Sequence, residues 1–354
     1  MIRTQVVRIL LLPFSILFGL GILLRNGLYN WGLLKSASFN LPVIGVGNLT
    51  LGGAGKTPHV EYLIRLLSPY LRVGTLSRGY KRKTRGFRMV GRGDSAVEVG
   101  DEPLQYFLKY PQIKVAVSES RSVGIPMMLS HNPEIQTILL DDSYQHLSVT
   151  PGINILLTEY SKPYSDDFLM PSGRLREWRS GADRADLVVV TKCPPTLSTE
   201  DKVEMRRRLD LKTDQQLYFS KYVYGPLYHI IDGSRHVLQS FDRVILLTAI
   251  ANESYLLSHI EGLVPEVHTM TYEDHHYFSP HEVSVLKQHY DHLGPDGTVI
   301  VTTEKDATRL ILHRDFIKKE QLPVMILPLQ VQFLDEDGKL FDQAIKDFLI
   351  DYKY

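Results

Sequence analysis

The chain has 354 residues, and its 40 Lys and Arg are balanced by 40 Asp and Glu, so the formal net charge is zero. That balance gives no support to a nucleic-acid binder held by bulk electrostatics, and the length suits about two domains with full cores. A single cysteine, Cys193, excludes an internal disulfide and any multi-cysteine metal site, and it fits a reducing compartment.

Between Arg8 and Arg25 the run from Ile9 to Leu24 carries no charge. It is shorter than the roughly 20 residues a helix needs to cross a bilayer core, and Pro13, Gly19 and Gly21 weaken it as a span. A signal peptide is one alternative, but no small-x-small cleavage site follows. A buried core helix is another. We expect residues 1–30 to form a helix embedded in or lying on the cytoplasmic face of a membrane, with Arg3, Arg8, Arg25 and Lys35 meeting anionic headgroups.

The next element is the sequence VIGVGNLTLGGAGKTPHVEYLIRLL, residues 43–67. An apolar β-branched run (Val43, Ile44, Val46) breaks at a glycine-rich turn, and Val60, Leu63, Ile64 and Leu67 then follow at i, i+3, i+4, i+7. Strand, glycine-rich loop and helix in this order form a phosphate-binding loop, because backbone N–H groups and the positive helix end point at an anion. Thr50, Leu51, Gly52, Gly53, Ala54 and Gly55 make the loop, Lys56 adds a point charge, and Thr57 supplies the hydroxyl for a nucleotide-bound Mg²⁺. Thr50 stands where the common pattern has glycine, and Leu51 where deviant Walker loops often carry a second lysine. The plain alternative is a glycine-rich turn with a chance lysine.

Short apolar runs recur at Val73 to Leu76, Ile113 to Val117, Thr137 to Leu140, Ile153 to Leu157 and Leu187 to Val190, with helical patterns between them. They predict an α/β fold with a P-loop NTPase-like, doubly wound parallel sheet, whose ligands gather at the carboxyl ends of the strands. The pattern restarts at Val244 to Leu247, Val299 to Val301 and Val324 to Leu327. A kinase-sized first domain over 31–222 and a second, smaller α/β domain over 223–354 are expected, with the boundary near Tyr222 to Pro226.

Several clusters carry candidate chemistry. The loop 77–88 holds Arg78, Lys81, Arg82, Lys83, Arg85 and Arg88, either as a solvated loop or as contacts to phosphates of a lipid surface or substrate. Asp101 and Glu102 open a helical segment with Pro103 in its first turn. Asp101 is either its N-cap or a base near the γ-phosphate. Asp141 and Asp142 end an apolar strand, where a carboxylate holds Mg²⁺ opposite the threonine hydroxyl, or simply caps a turn. Gln145 and His146 follow them and are candidates to orient water or close the site. Arg176 and Glu177 are candidates to bridge phosphate and metal, or form an exposed ion pair. Asp274, His275 and His276 sit together without further His or Cys at zinc spacing, so His275 assisting a carboxylate competes with surface loop histidines. Glu304, Lys305 and Asp306 stand at what reads as a helix start.

The motifs GNLTLGGAGKTP, LSRGY, GDEP, DDSYQH, PSGRLRE, the Asp274–His275 pair and TEKDA recur in the order of one family. The chain resembles the lipid A 4′-kinases, or tetraacyldisaccharide 4′-kinases, of Gram-negative bacteria, departing at Ser143 and Tyr144, where the family often has glycine and an apolar residue. The resemblance implies ATP-dependent phosphorylation of the 4′-hydroxyl of a tetraacyl glucosamine disaccharide 1-phosphate, the lipid A precursor. It places the chain on the cytoplasmic face of the inner membrane, attached through the N-terminal helix. It also implies an Asp101–His275 base dyad, ATP on Thr50 to Thr57, Mg²⁺ on Thr57, Asp141, Asp142 and Glu177, and substrate contacts at Arg78, Glu102 and Arg176. No nucleic acid and no obligate protein partner is expected. The competing functions are a membrane-associated regulatory ATPase of the deviant-Walker type and a scaffold that only binds nucleotide.

Overall fold

A computed structural model describes residues 2–352, with side chains from Arg8 onward. The Arg3 side chain, one of the expected basic flanks, lies outside the described residues.

Strands β1 (Val43–Asn48), β2 (Val73–Ser77), β3 (Arg88–Met89), β4 (Lys114–Val117), β5 (Thr137–Asp141), β6 (Ile153–Glu159), β7 (Leu187–Thr191) and β8 (Gln216–Tyr224) build the first sheet. Strands β9 (Leu227–His229), β10 (Arg235–His236), β11 (Arg243–Thr248), β12 (Glu266–Thr271), β13 (Thr298–Thr303) and β14 (Val324–Leu327) make a separate six-stranded sheet, and β15 (Leu329–Phe333) returns to the first. The nine-stranded order is β15-β8-β7-β6-β1-β5-β2-β4-β3. It is parallel from β8 to β4, with one antiparallel strand at each edge. β1 lies in its middle, between β5 and β6, where the chain order switches direction and ligands of such sheets bind.

The local reasons are those of the sequence. Ile44 and Val46 are fully buried in β1, and Val60, Leu63, Ile64 and Leu67 of helix Lys56–Leu67 are buried against the sheet. Each such side chain contributes on the order of 1.5–3 kcal/mol of burial.

The division into domains differs from expectation at the carboxyl end. Residues 329–351 belong to the larger unit: β15 pairs antiparallel with β8, and Phe341 and Ile345 of helix Asp337–Asp351 join its core beside Val331 and Phe333. A restart of apolar runs locates where a domain begins, but pairing between segments so far apart in sequence leaves no local signal for where it ends. The smaller domain is thus an insertion bounded by Gly225 and Pro328, which are joined by a hydrogen bond from Gly225 N to Pro328 O of 3.0 Å.

The N-terminal helix, Ile2–Asn30, outruns the uncharged stretch, and its Arg8–Asn30 portion of 23 residues is long and apolar enough to cross a membrane by length and composition. One narrow face docks on the larger domain. Ser15 Oγ donates to Leu169 O (3.0 Å), Trp178 Nε1 donates to Gly19 O (2.9 Å), and a Cβ at Gly19 would come within 2.5 Å of the Trp178 ring. The other faces carry Ile9, Phe14, Leu17, Leu20 and Leu24, all exposed, which overturns the buried-core alternative.

Phe341, stacked on Phe333 at 4.6 Å between ring centroids, tests the reassigned carboxyl end. Phe341→Ala should destabilise the larger domain by about 3–5 kcal/mol, measured by denaturant unfolding followed through Trp178. An unchanged Trp178 transition in Phe341→Ala would contradict the assignment.

Candidate active site

β1 delivers the chain to a turn whose Gly52 and Gly55 have φ of 110° and 87°, left-handed values that favour glycine. Leu51 N donates to Arg174 O (2.6 Å) and Thr50 bridges Leu175, so the segment Arg174–Glu177 lies along the loop. Helix Lys56–Leu67 then starts, and Lys56 Nζ lies 3.0 Å from Asn48 Oδ1 and 3.5 Å from Asp142 Oδ1. Gly53 and Ala54 complete the loop, with Ala54 O accepting from Thr191 Oγ1 (3.0 Å). A cation, the amino end of a twelve-residue helix and a glycine-rich turn meet here, which is what an anion needs.

β5 brings the two aspartates to this loop. Burial opposes the charged form of Asp142, yet the Lys56 ammonium and the Arg176 guanidinium (2.9 Å) outweigh it and hold the carboxyl well below its usual range. Asp141 behaves oppositely. Burial, with Glu102 and Asp142 nearby, pushes it up to about 7. Tyr106 OH donates to Asp141 Oδ2 (3.0 Å), while the buried Oδ1 has no hydrogen-bond partner among the described residues. An orphaned, charge-frustrated carboxylate oxygen beside the phosphate-loop lysine and a second carboxylate fits a hard divalent cation.

Glu177, the fourth expected ligand, is engaged by other side chains in this structure. Arg184 Nη2 donates to both its oxygens at 2.9 Å, and Gln145 Nε2 donates to Oε1 at 3.0 Å. The short 3₁₀ turn Arg179–Arg184 brings that arginine back onto Glu177. Among the described residues no group of three or more His, Cys, Asp or Glu is arranged to hold a metal. His146 is driven down to about 4 by burial, then by Arg121.

Asp101 is the first residue of helix Asp101–Lys109, capped by Gly100, so the N-cap alternative does not hold. It is buried, and its Oδ2 lies 2.7 Å from His275 Nδ1. His275 comes from the smaller domain, in a left-handed conformation (φ 65°) anchored by its N–H to Ala249 O (3.1 Å). The Arg309 guanidinium, also buried, has Nε 3.6 Å from Asp101 Oδ1 and donates to Asp306 Oδ1 and His276 O. Lys305 Nζ lies 3.1 Å from both His275 Nε2 and Asp274 Oδ1, and 3.8 Å from Glu102. His276, by contrast, faces Glu282 at 3.0 Å.

The sequence reading passed over Lys109, Glu61 and Arg309. Lys109 Nζ bridges Glu61 of the phosphate-loop helix (2.6 Å) and Glu304 of the smaller domain (2.7 Å). The four-residue spacing of Asp101, Gln105 and Lys109, which puts them on one helix face, was the available signal. The basic loop proves mixed: Arg82 pairs with Glu119 and Arg88 with Asp94, Lys81 reaches Asp274 O, and Arg78 is exposed after β2.

Residues 7–349 match the family model for tetraacyldisaccharide-1-P 4′-kinase. The chain belongs to the tetraacyldisaccharide 4′-kinase family. The tetraacyldisaccharide 4′-kinase of Flavobacterium johnsoniae is 43% identical over 346 residues, covering 98% of each chain. That of Bacteroides fragilis strain YCH46 is 42% identical over 343 residues, covering 95% of this chain and 91% of its own. A crystal structure of LpxK from Aquifex aeolicus in complex with ATP superposes with a TM-score of 0.74 at 29% identity, covering 97% of this chain and 99% of that one. The chain is therefore a kinase that phosphorylates the 4′-position of the tetraacyldisaccharide 1-phosphate in lipid A biosynthesis, and the regulatory-ATPase reading is not favoured.

In this tetraacyldisaccharide 4′-kinase, Asp141 makes a pH test possible. The unfolded chain releases this proton near pH 3.8 and the folded protein near pH 7, so ionising Asp141 costs stability progressively across that window and fully above it. Asp141→Asn should therefore match the parent near pH 4 and exceed it in stability at pH 8, read by chemical denaturation without nucleotide. An equal difference at both pH values would show that the carboxyl does not titrate in this window.

Proposed function

We propose that ATP binds with its phosphates on Thr50 to Thr57, and that Asp101 accepts the proton of the 4′-hydroxyl as that oxygen attacks the γ-phosphorus. One P–O bond forms to the sugar oxygen, the bond from the γ-phosphorus to the β–γ bridging oxygen breaks, and ADP departs. The observation that carries this reading is the buried contact between Asp101 and His275 at 2.7 Å, made across two domains. A hydroxyl is a poor nucleophile at neutral pH, and a carboxylate held by a second group in one orientation is the economical base.

Thr57, Asp141 and Asp142 fit a magnesium ion, which when bound neutralises charge on the transferring phosphoryl group. Arg176 sets the Asp142 carboxylate in place, and Glu177 holds Gln145 and Arg184 around the loop. Arg78, exposed after β2, and Glu102, 3.8 Å from Lys305, are the residues we assign to the disaccharide phosphate and hydroxyls. The exposed apolar side of the N-terminal helix lies on the cytoplasmic face of the inner membrane, where an acylated substrate resides.

Transfer of labelled γ-phosphate from ATP to a tetraacyl disaccharide 1-phosphate, with product mass recorded, tests the reaction. In that assay Asp101→Ala and His275→Ala should each lower kcat by a factor on the order of 10² to 10⁴, and the pair should cost little more than the worse single change. ATP affinity should hold in all three. Fully additive losses would mean two independent roles.

Replacing Leu17 and Leu20, exposed at 66% and 54%, by Glu leaves the docking face of the N-terminal helix intact. Flotation with anionic vesicles should be lost and KM for lipid should rise while KM for ATP stays constant. Undiminished flotation would place the attachment elsewhere.

A further inference from the structure

We propose that Lys305 fixes the tautomer of His275 and thereby makes Asp101 the base and the imidazole its hydrogen-bond donor. This deepens the dyad reading above and rests on it. An aspartate and a histidine in contact do not by themselves say which accepts the substrate proton, because either ring nitrogen can carry the hydrogen.

The neighbours decide it. His275 Nδ1 faces Asp101 Oδ2 at 2.7 Å, and Nε2 faces Lys305 Nζ at 3.1 Å. An ammonium only donates, so Nε2 has to accept, and the ring hydrogen sits on Nδ1 and points at the carboxylate. The competing acceptor for an Nε2 hydrogen is Asp274, but its Oδ2 is 3.7 Å from Nε2 and its Oδ1 is already bonded to Lys305 at 3.1 Å. Glu102 at 3.8 Å draws the ammonium further into place. On the remaining side of the ring lies the Tyr80 side chain, 5.1 Å between ring centroids, which offers no acceptor to Nε2.

The consequence concerns mechanism. With Nε2 occupied by Lys305 and Nδ1 by Asp101, the imidazole has no free lone pair for the 4′-hydroxyl. The proton must go to the carboxylate. Lys305 is a positioning residue: it touches neither phosphorus nor sugar in this scheme, and it acts through the ring.

The test uses the full-length chain labelled with ¹⁵N-histidine, the His275 signals being assigned by their loss in His275→Gln. In the parent, Nδ1 should be protonated and Nε2 unprotonated, and in Lys305→Met a protonated Nε2 population should appear. Turnover in Lys305→Met should fall about 10- to 100-fold in kcat with KM for ATP unchanged, and Lys305→Arg, which keeps a cationic donor, should recover most of it. Adding Lys305→Met to His275→Gln should slow the enzyme no further. A protonated Nε2 in the parent, or multiplicative losses in the double variant, would overturn the proposal. Normal kcat in His275→Gln would instead overturn the dyad reading, and the tautomer signals separate the two failures.

Discussion

Lys109 reaches Glu61 on the phosphate-loop helix and Glu304 on the smaller domain, with both carboxylates almost wholly buried and the lysine mostly so. Burial, then Glu61, raises the Glu304 carboxyl, and the Lys109 ammonium works against that rise. A seam of this kind contributes little net stability, because desolvating three charges offsets much of their attraction. Its effect is geometric. Sliding the smaller domain would leave a buried charge without its partner, a costly state, so the seam favours one relative placement of the two domains. That placement is the one in which His275 meets Asp101.

Connection and closure are supplied by different elements. The antiparallel pair β8 and β15 carries the chain into and out of the smaller domain, so the inserted unit hangs from one two-stranded ribbon. A ribbon of that kind holds its own two strands together and bends as a unit, leaving the charged seam and the dyad to define the closed arrangement. The N-terminal helix follows another rule: it spends one narrow, small-residue face on the larger domain at Ser15 and Gly19 and leaves its bulky apolar residues outside. Docking through backbone carbonyls and a close glycine contact fixes the angle of the helix without using its apolar face.

Local signals were legible in the sequence, and long-range ones were not. The phosphate loop, its helix and the buried parallel strands appear as runs whose period depends only on near neighbours, and each expected apolar run lies on or overlaps an observed strand. β12 escaped notice because it is a half-exposed edge, where no continuous apolar run is required. The return of β15 to the first sheet and the bridging by Lys109 depend on partners brought together only by folding, and the capture of Glu177 by Arg184, seven residues on, depends on a short 3₁₀ turn that no apolar period marks. The Asp101 and His275 pairing was reached through resemblance, since residues so far apart in sequence carry no mutual spacing signal. The site was thus readable where an apolar period or a motif marks it and opaque where side chains meet through irregular turns or across two domains.

The segment Thr303 to Asp306 shows how much a single helix start can settle. Thr303 Oγ1 accepts from Asp306 N at 3.0 Å and closes the first turn directly at the end of β13. With that turn fixed, consecutive side chains leave the axis about 100° apart and serve different partners. Glu304 turns to Lys109 in the larger domain, Lys305 to the His275 ring, and Asp306 inward to Arg309 and the backbone N–H of Ala249. Arg309, one turn on, ties the same segment to His276 O and lies beside Asp101. Moving the helix start by one residue would rotate all of these groups at once. The cap at Thr303, although far from the phosphorus, therefore sets the geometry of the seam and of the base together.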